Sequence, residues 1–87
     1  MEVEWDEVKR RANLAKHGLD FADVGQLDWD NATYLEDGRH KYPEPRYWAF
    51  AMLGERLHMV AFCVRGAKFR IISFRKASRK EVKRYGP

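Results

Sequence analysis

The side chains in this sequence with the clearest chemical potential are cations, and they crowd into one stretch. Between Arg65 and Lys76 stand Arg65, Lys68, Arg70, Arg75 and Lys76, with no acidic residue among them. Phe69, Ile71, Ile72 and Phe74 are explained as core residues. The guanidinium groups are not, because arginine is almost never fully buried unless paired. A planar guanidinium fork can hold a phosphate at two points. RNA can be cleaved with little more than that, since the nucleophile is the substrate's own 2′-hydroxyl. The protein must align the backbone, stabilise charge on the non-bridging oxygens and help move two protons. A well-placed donor contributes on the order of 3 kcal/mol to such a step, and acid–base help contributes roughly 10²–10⁴-fold. The bland alternative is a strand whose basic residues simply face water. For Arg70 that alternative is an internal pair with Glu36 or Asp37.

Other candidates stand further off. Arg46 opens an aromatic stretch and can enlarge the patch. Lys76 and Arg79, with Lys80, Lys83 and Arg84, form a basic face that raises affinity for nucleic acid without specifying chemistry. His40, in a charged loop, can shuttle a proton. Tyr85 brings a phenol to the site if the last helix folds over the sheet, and otherwise packs. His17 is expected to pack at a helix end. His17, His40, His58 and Cys63 share no metal-ligand spacing, so no metal or other cofactor is expected. Cys63, inside Met59-Val60-Ala61-Phe62-Cys63-Val64, reads as a buried structural thiol.

The elements that must carry these groups fit one domain, residues 1–87. The net charge is +4, but its distribution says more. Residues 1–44 hold six Lys/Arg and eleven Asp/Glu, whereas residues 45–87 hold eleven and two. The basic half is the footprint of a polyanion binder, although an acidic protein partner would be served by the same field. A single cysteine excludes an intrachain disulfide and points to a reducing compartment. The apolar runs fall far short of the roughly 20 residues needed to cross a bilayer. The acidic N-terminus lacks the pattern of a signal peptide. A cytoplasmic protein without membrane contact is therefore expected.

Glu2-Val3-Glu4-Trp5 alternates as a short strand does. Asp6 caps a helix over residues 7–17, ended by Gly18. Its apolar stripe is predicted to be Trp5, Val8, Ala12 and Ala15. Asp20 caps a second, shorter helix that turns Phe21 and Val24 to the core. A moderate strand at 32–36, a loop at 37–45 and strands at 46–53, 57–65 and 68–75 follow. Gly54-Glu55 and Gly66-Ala67 suit two-residue type II′ hairpins. Strict alternation along the last strand sets Lys68, Arg70, Ile72 and Phe74 on one face and Phe69, Ile71, Ser73 and Arg75 on the other. Ser78-Arg79-Lys80-Glu81 is a capping box for a short basic helix ending near Tyr85. The expected class is α+β, with two N-terminal helices packed on an antiparallel meander and a short basic C-terminal helix.

These residues taken together resemble the BrnT toxin family of bacterial type II toxin–antitoxin systems. The likeness rests on Trp5-Asp6, Lys9, Asn13, Lys16-His17-Gly18, Phe21, Asp37-x-Arg39-His40-x-Tyr42, Arg65-Gly66, Arg70-Ile71-Ile72-Ser73, Arg75-Lys76-Ala77, Glu81 and Tyr85. The chain departs from the family pattern at Pro45, Val64 and Phe74. The resemblance implies a RelE-like fold and a metal-independent endoribonuclease that inhibits translation. It implies neutralisation by a BrnA-like ribbon-helix-helix antitoxin, and contact with operator DNA only through that complex. By similarity, Arg65, Arg70 and Arg75 are the active-site candidates, with Tyr85 weaker. The alternatives are a non-catalytic nucleic-acid binder and a protein-interaction module.

Overall fold

A computed structural model describes residues 1–38 and 43–87. Strand β1 (Glu2–Trp5) leads into helix α1 (Glu7–His17). Asp6 caps α1 by accepting from the amides of Val8 and Lys9, and Gly18 ends it in the left-handed region at φ 71°. The second predicted helix is instead a 3-10 helix, Phe21–Gln26, followed by a single 3-10 turn, Trp29–Asn31. Gly25 and the following Asp28 and Asn31 favour such short, tight pieces over a continuous α-helix. Asp20 caps the first of them, through the amide of Ala22.

Strands β2 (Thr33–Glu36), β3 (Arg46–Leu53), β4 (Arg56–Arg65) and β5 (Lys68–Lys76) form the expected antiparallel meander. Gly54 and Gly66 both sit at φ 60°, and no non-glycine residue among those described has positive φ. That fits the type II′ turn, which needs a left-handed residue only at its first central position. The sheet is not purely antiparallel, however. β1 pairs in parallel with β5, giving the order β1-β5-β4-β3-β2. Helix α2 (Arg79–Tyr85) closes the chain, with its capping box formed between Ser78 and Glu81.

The sheet carries apolar residues on both faces. One face buries Phe62, Ile71, Phe74, Val60, Ala49 and Ala51 beneath Phe21, Val24 and Leu27. The other gathers Phe50, Leu57, Met59 and Ala61 with Ala77, and α2 lays Tyr85 on it. Strict alternation fails in β5 because the strand has one extra residue. Ala61 pairs with Ser73 while its neighbour Phe62 pairs with Ile71, so Ile72 has no opposite number. This bulge shifts the parity of everything after it. Phe74 therefore joins Ile71 in the first core instead of sharing a face with Arg70. Arg75, opposite Met59, comes to the same face as Arg70, opposite Cys63.

The predicted stripe of α1 is also corrected. Val8 is 75% exposed and Ala12 and Ala15 face water, while the buried residue of the helix is Asn13. Asn13 binds the backbone of Phe74 at the edge of β5 left open where β1 ends. The helix thus docks through a polar side chain rather than an apolar seam.

Candidate active site

Two hairpin turns of two residues fix a row of side chains across the sheet. Counting back from Leu53 and Arg56 sets Arg46 opposite Cys63, and counting out from Arg65 and Lys68 sets Cys63 opposite Arg70. Glu4 of β1 completes the row beside Arg70. Paired residues project to one face, and neighbouring strands lie about 4.8 Å apart, so Arg46 and Arg70 flank Cys63 from roughly 10 Å apart. The small thiol between two long cations leaves a hollow. A cleft of about 210 Å³ lies there, walled by Arg46, Arg65, Arg70, Lys9, Glu44 and Cys63. Four cations and one carboxylate among these residues give it a strongly positive character.

Glu44 occupies part of that hollow. Arg65 holds it in a fork, Nη2 donating to Oε1 at 2.7 Å and Nε at 2.9 Å. The Cys63 thiol donates to the same oxygen at 3.4 Å. The Arg65 hydrogen bonds keep the Glu44 carboxyl below its ordinary value, with a further contribution from the charge of Arg70. Burial and the adjacent Glu44 push the Cys63 thiol upward, which leaves it protonated and inert as a nucleophile, as expected of a structural cysteine. Arg70 is held less firmly. Its partner is Glu4, not Glu36 or Asp37, and the closest approach of 3.8 Å is too long for a hydrogen bond. Glu4 reaches it because β1 runs parallel beside β5.

The structure therefore brings Arg65, Arg70 and Arg46 together and places the other candidates elsewhere. Arg75 does not line the cleft. Its guanidinium is clasped by Glu81 at 2.7 and 3.0 Å and also donates to the Lys76 carbonyl. Since Glu81 accepts the Ser78 amide as well, Arg75 fastens the start of α2. Tyr85 stacks on Phe50 with ring centroids 4.3 Å apart. Lys68 stands across the turn from Arg65, Lys76 is exposed at the strand end, and Arg79 walls a groove on α2 with Arg56 and Lys83. His40 lies outside the described residues. Pro45, Val64 and Phe74, the departures from the family pattern, do not wall the cleft.

Sequence reasoning missed Lys9 and Glu44 as cleft residues. Lys9 is delivered by α1, whose docking through Asn13 is invisible in a periodicity. Glu44 sits in a proline-flanked loop, where no pattern assigns a direction. Among the described residues, no group of three His, Cys, Asp or Glu side chains is placed to hold a metal ion. Among the described residues, too, no helix is long and apolar enough to cross a membrane.

The fold and cleft define a small α+β protein with a cationic hollow at one end of its sheet. A family model described as "Ribonuclease toxin, BrnT, of type II toxin-antitoxin system" matches residues 5–81. The chain belongs to this family of ribonuclease toxins. Among curated proteins, none matches the chain. Membership implies an RNA-cleaving activity and a protein antitoxin as partner.

Proposed function

We propose that the chain is a metal-independent endoribonuclease whose scissile phosphate sits between Arg46, Arg65 and Arg70. The observation that carries this reading is the transverse row Arg46, Cys63, Arg70, with Arg65 beside it, converging on one hollow. The substrate's 2′-oxygen attacks the adjacent phosphorus and the bond to the 5′-oxygen breaks. This leaves a 2′,3′-cyclic phosphate and a free 5′-hydroxyl. The guanidinium groups bear the charge that builds on the non-bridging oxygens.

Glu44 gives the step a second component. Its carboxylate already fills Arg65's fork, so an arriving phosphate exchanges one anion for another and leaves no guanidinium unpaired. Once Arg65 turns to the phosphate, the Glu44 carboxyl returns toward its ordinary value and becomes the better proton acceptor. In this reading it takes the proton of the 2′-hydroxyl. His40, three positions before Pro43 in sequence, is the donor to the leaving 5′-oxygen. Arg75 and Tyr85 hold α2 and act on the site only through it. Lys68, Lys76 and Arg79 add to the positive field that gathers RNA. In the same reading the fold is RelE-like and the protein acts in the cytoplasm to inhibit translation. A BrnA-like ribbon-helix-helix antitoxin neutralises it and carries the contact with operator DNA.

The test is incubation of the purified protein with RNA in EDTA. Fragments ending in cyclic phosphate are expected, and they should vanish with Arg70→Ala. RNA left intact by the unaltered protein overturns the assignment.

A further inference from the structure

Helix α1 is turned the wrong way round for packing alone. Lys9, Asn13, Lys16 and His17 recur at the spacing of one helical face, on which Asn13 is buried, His17 is half-buried and the two lysines are exposed at the margin, while Val8 and Leu14 on the other side are exposed. A helix governed only by burial would reverse this. This polar stripe walls an open surface groove of about 310 Å³ between α1 and β5, completed by Ala12, Ile72 and Ser73. Lys9 and Ile72 also wall the arginine cleft, so the two hollows adjoin. The bulge opens this region, because it sends both Ile72 and Ser73 toward the same side.

We propose that this groove is a nucleotide subsite, seating the residue next to the scissile phosphate on a single strand of RNA. This rests on the nuclease reading of the arginine cleft. The chemistry of the walls matches one nucleotide: Ala12 and Ile72 offer apolar surface for a base, and Lys9 and Lys16 stand at the rim for a phosphate. Among the described residues, no carboxylate lines the groove. Its volume is at the lower end of the roughly 300–1,000 Å³ typical of small-molecule sites. Burial, with the charges of Lys16 and Arg75, holds the His17 ring below its ordinary value. Near neutral pH it therefore offers hydrogen bonds without charge. Lys9, at the junction, serves both seats.

Two ligands separate the seats: a six-nucleotide 2′-O-methyl RNA, which lacks the attacking hydroxyl, and inorganic phosphate, which has no base or sugar and fills only the arginine cleft. The variants are Lys16→Ala, which removes a rim charge, and Ala12→Phe, which crowds the groove from an exposed helical position on its wall. Each should weaken the hexanucleotide about tenfold and leave inorganic phosphate unchanged. Lys16→Ala should also flatten the salt dependence by about 0.7 of a log unit per log unit. Arg70→Ala should weaken both ligands. If both variants leave the hexanucleotide unaffected, or weaken the two ligands alike, the subsite is overturned. If the unaltered protein binds neither ligand, the nuclease reading falls and the subsite with it.

Discussion

Asn13 and Phe74, 61 positions apart, bind each other as paired strands do. The Asn13 amide nitrogen donates to the Phe74 carbonyl at 2.8 Å, and its oxygen accepts the Phe74 amide at 3.1 Å. The same nitrogen also donates to the Leu19 carbonyl. One side chain thus stands in for β1 where that strand stops, and in doing so sets the helix that delivers Lys9 to the cleft.

Removing it should be costly. Asn13→Ala leaves a donor and an acceptor of Phe74 without partners in a buried position. At about 1–3 kcal/mol for each such group, a loss of about 3 kcal/mol is expected. That is a large part of the roughly 4–13 kcal/mol a chain of this length commands. Urea titration followed by circular dichroism measures it, and a loss under about 1 kcal/mol would show that water replaces the side chain.

Arg75 and Arg70 share a face but should behave as opposites. Arg75→Ala breaks the clasp on Glu81 and should lower stability by about 2 kcal/mol. It should leave phosphate affinity intact. Arg70→Ala loses only the 3.8 Å approach to Glu4, so its melting temperature should barely move while phosphate binding and cleavage fall. Thermal melts and phosphate titration of the two variants provide the check.

Glu44→Gln separates holding from turnover. The amide no longer competes as an anion for Arg65, so inorganic phosphate should bind several-fold more tightly. Cleavage should nonetheless slow by roughly 10²–10⁴-fold if Glu44 is the proton acceptor proposed above. Equal or faster cleavage would remove Glu44 from the proton transfer.

Acid should unfold the protein within a defined window. Hydrogen bonds from Arg10 bring Glu7 down to about 2, from 4.5. The Ala22 amide lowers Asp20, and Arg75 lowers Glu81. Each carboxyl takes up its proton more readily in the unfolded chain, so stability is complete above about pH 4.5 and declines as pH falls toward about 2. Melting temperatures measured across that range should drop steadily. Glu81→Gln should flatten the decline at the expense of stability at neutral pH.

Much of the architecture could be read in advance because its signals are local. Asp6, Gly18 and the Ser78–Glu81 box mark helix ends by chemistry that acts within four residues. The two glycine turns set the register of three strands, and with it the row Arg46, Cys63, Arg70. What escaped was non-local. A bulge at Ile72 leaves no trace in composition, yet it reverses the facing of Phe74 and Arg75. The polar docking of α1 depends on the stretch of β5 edge that β1 leaves unpaired, which no local pattern reveals. The partner of Arg70 was misjudged for the same reason, since Glu4 lies next to it only through that pairing.

The parallel seam between β1 and β5 also orders events during synthesis. Until residues 68–76 have emerged from the ribosome, β1 has nothing to pair with and Asn13 has no strand edge to grip. The row of cations lacks its third member for just as long. Contacts of such long sequence separation form late. A nascent chain therefore carries no finished cleft until its closing strand has joined the sheet.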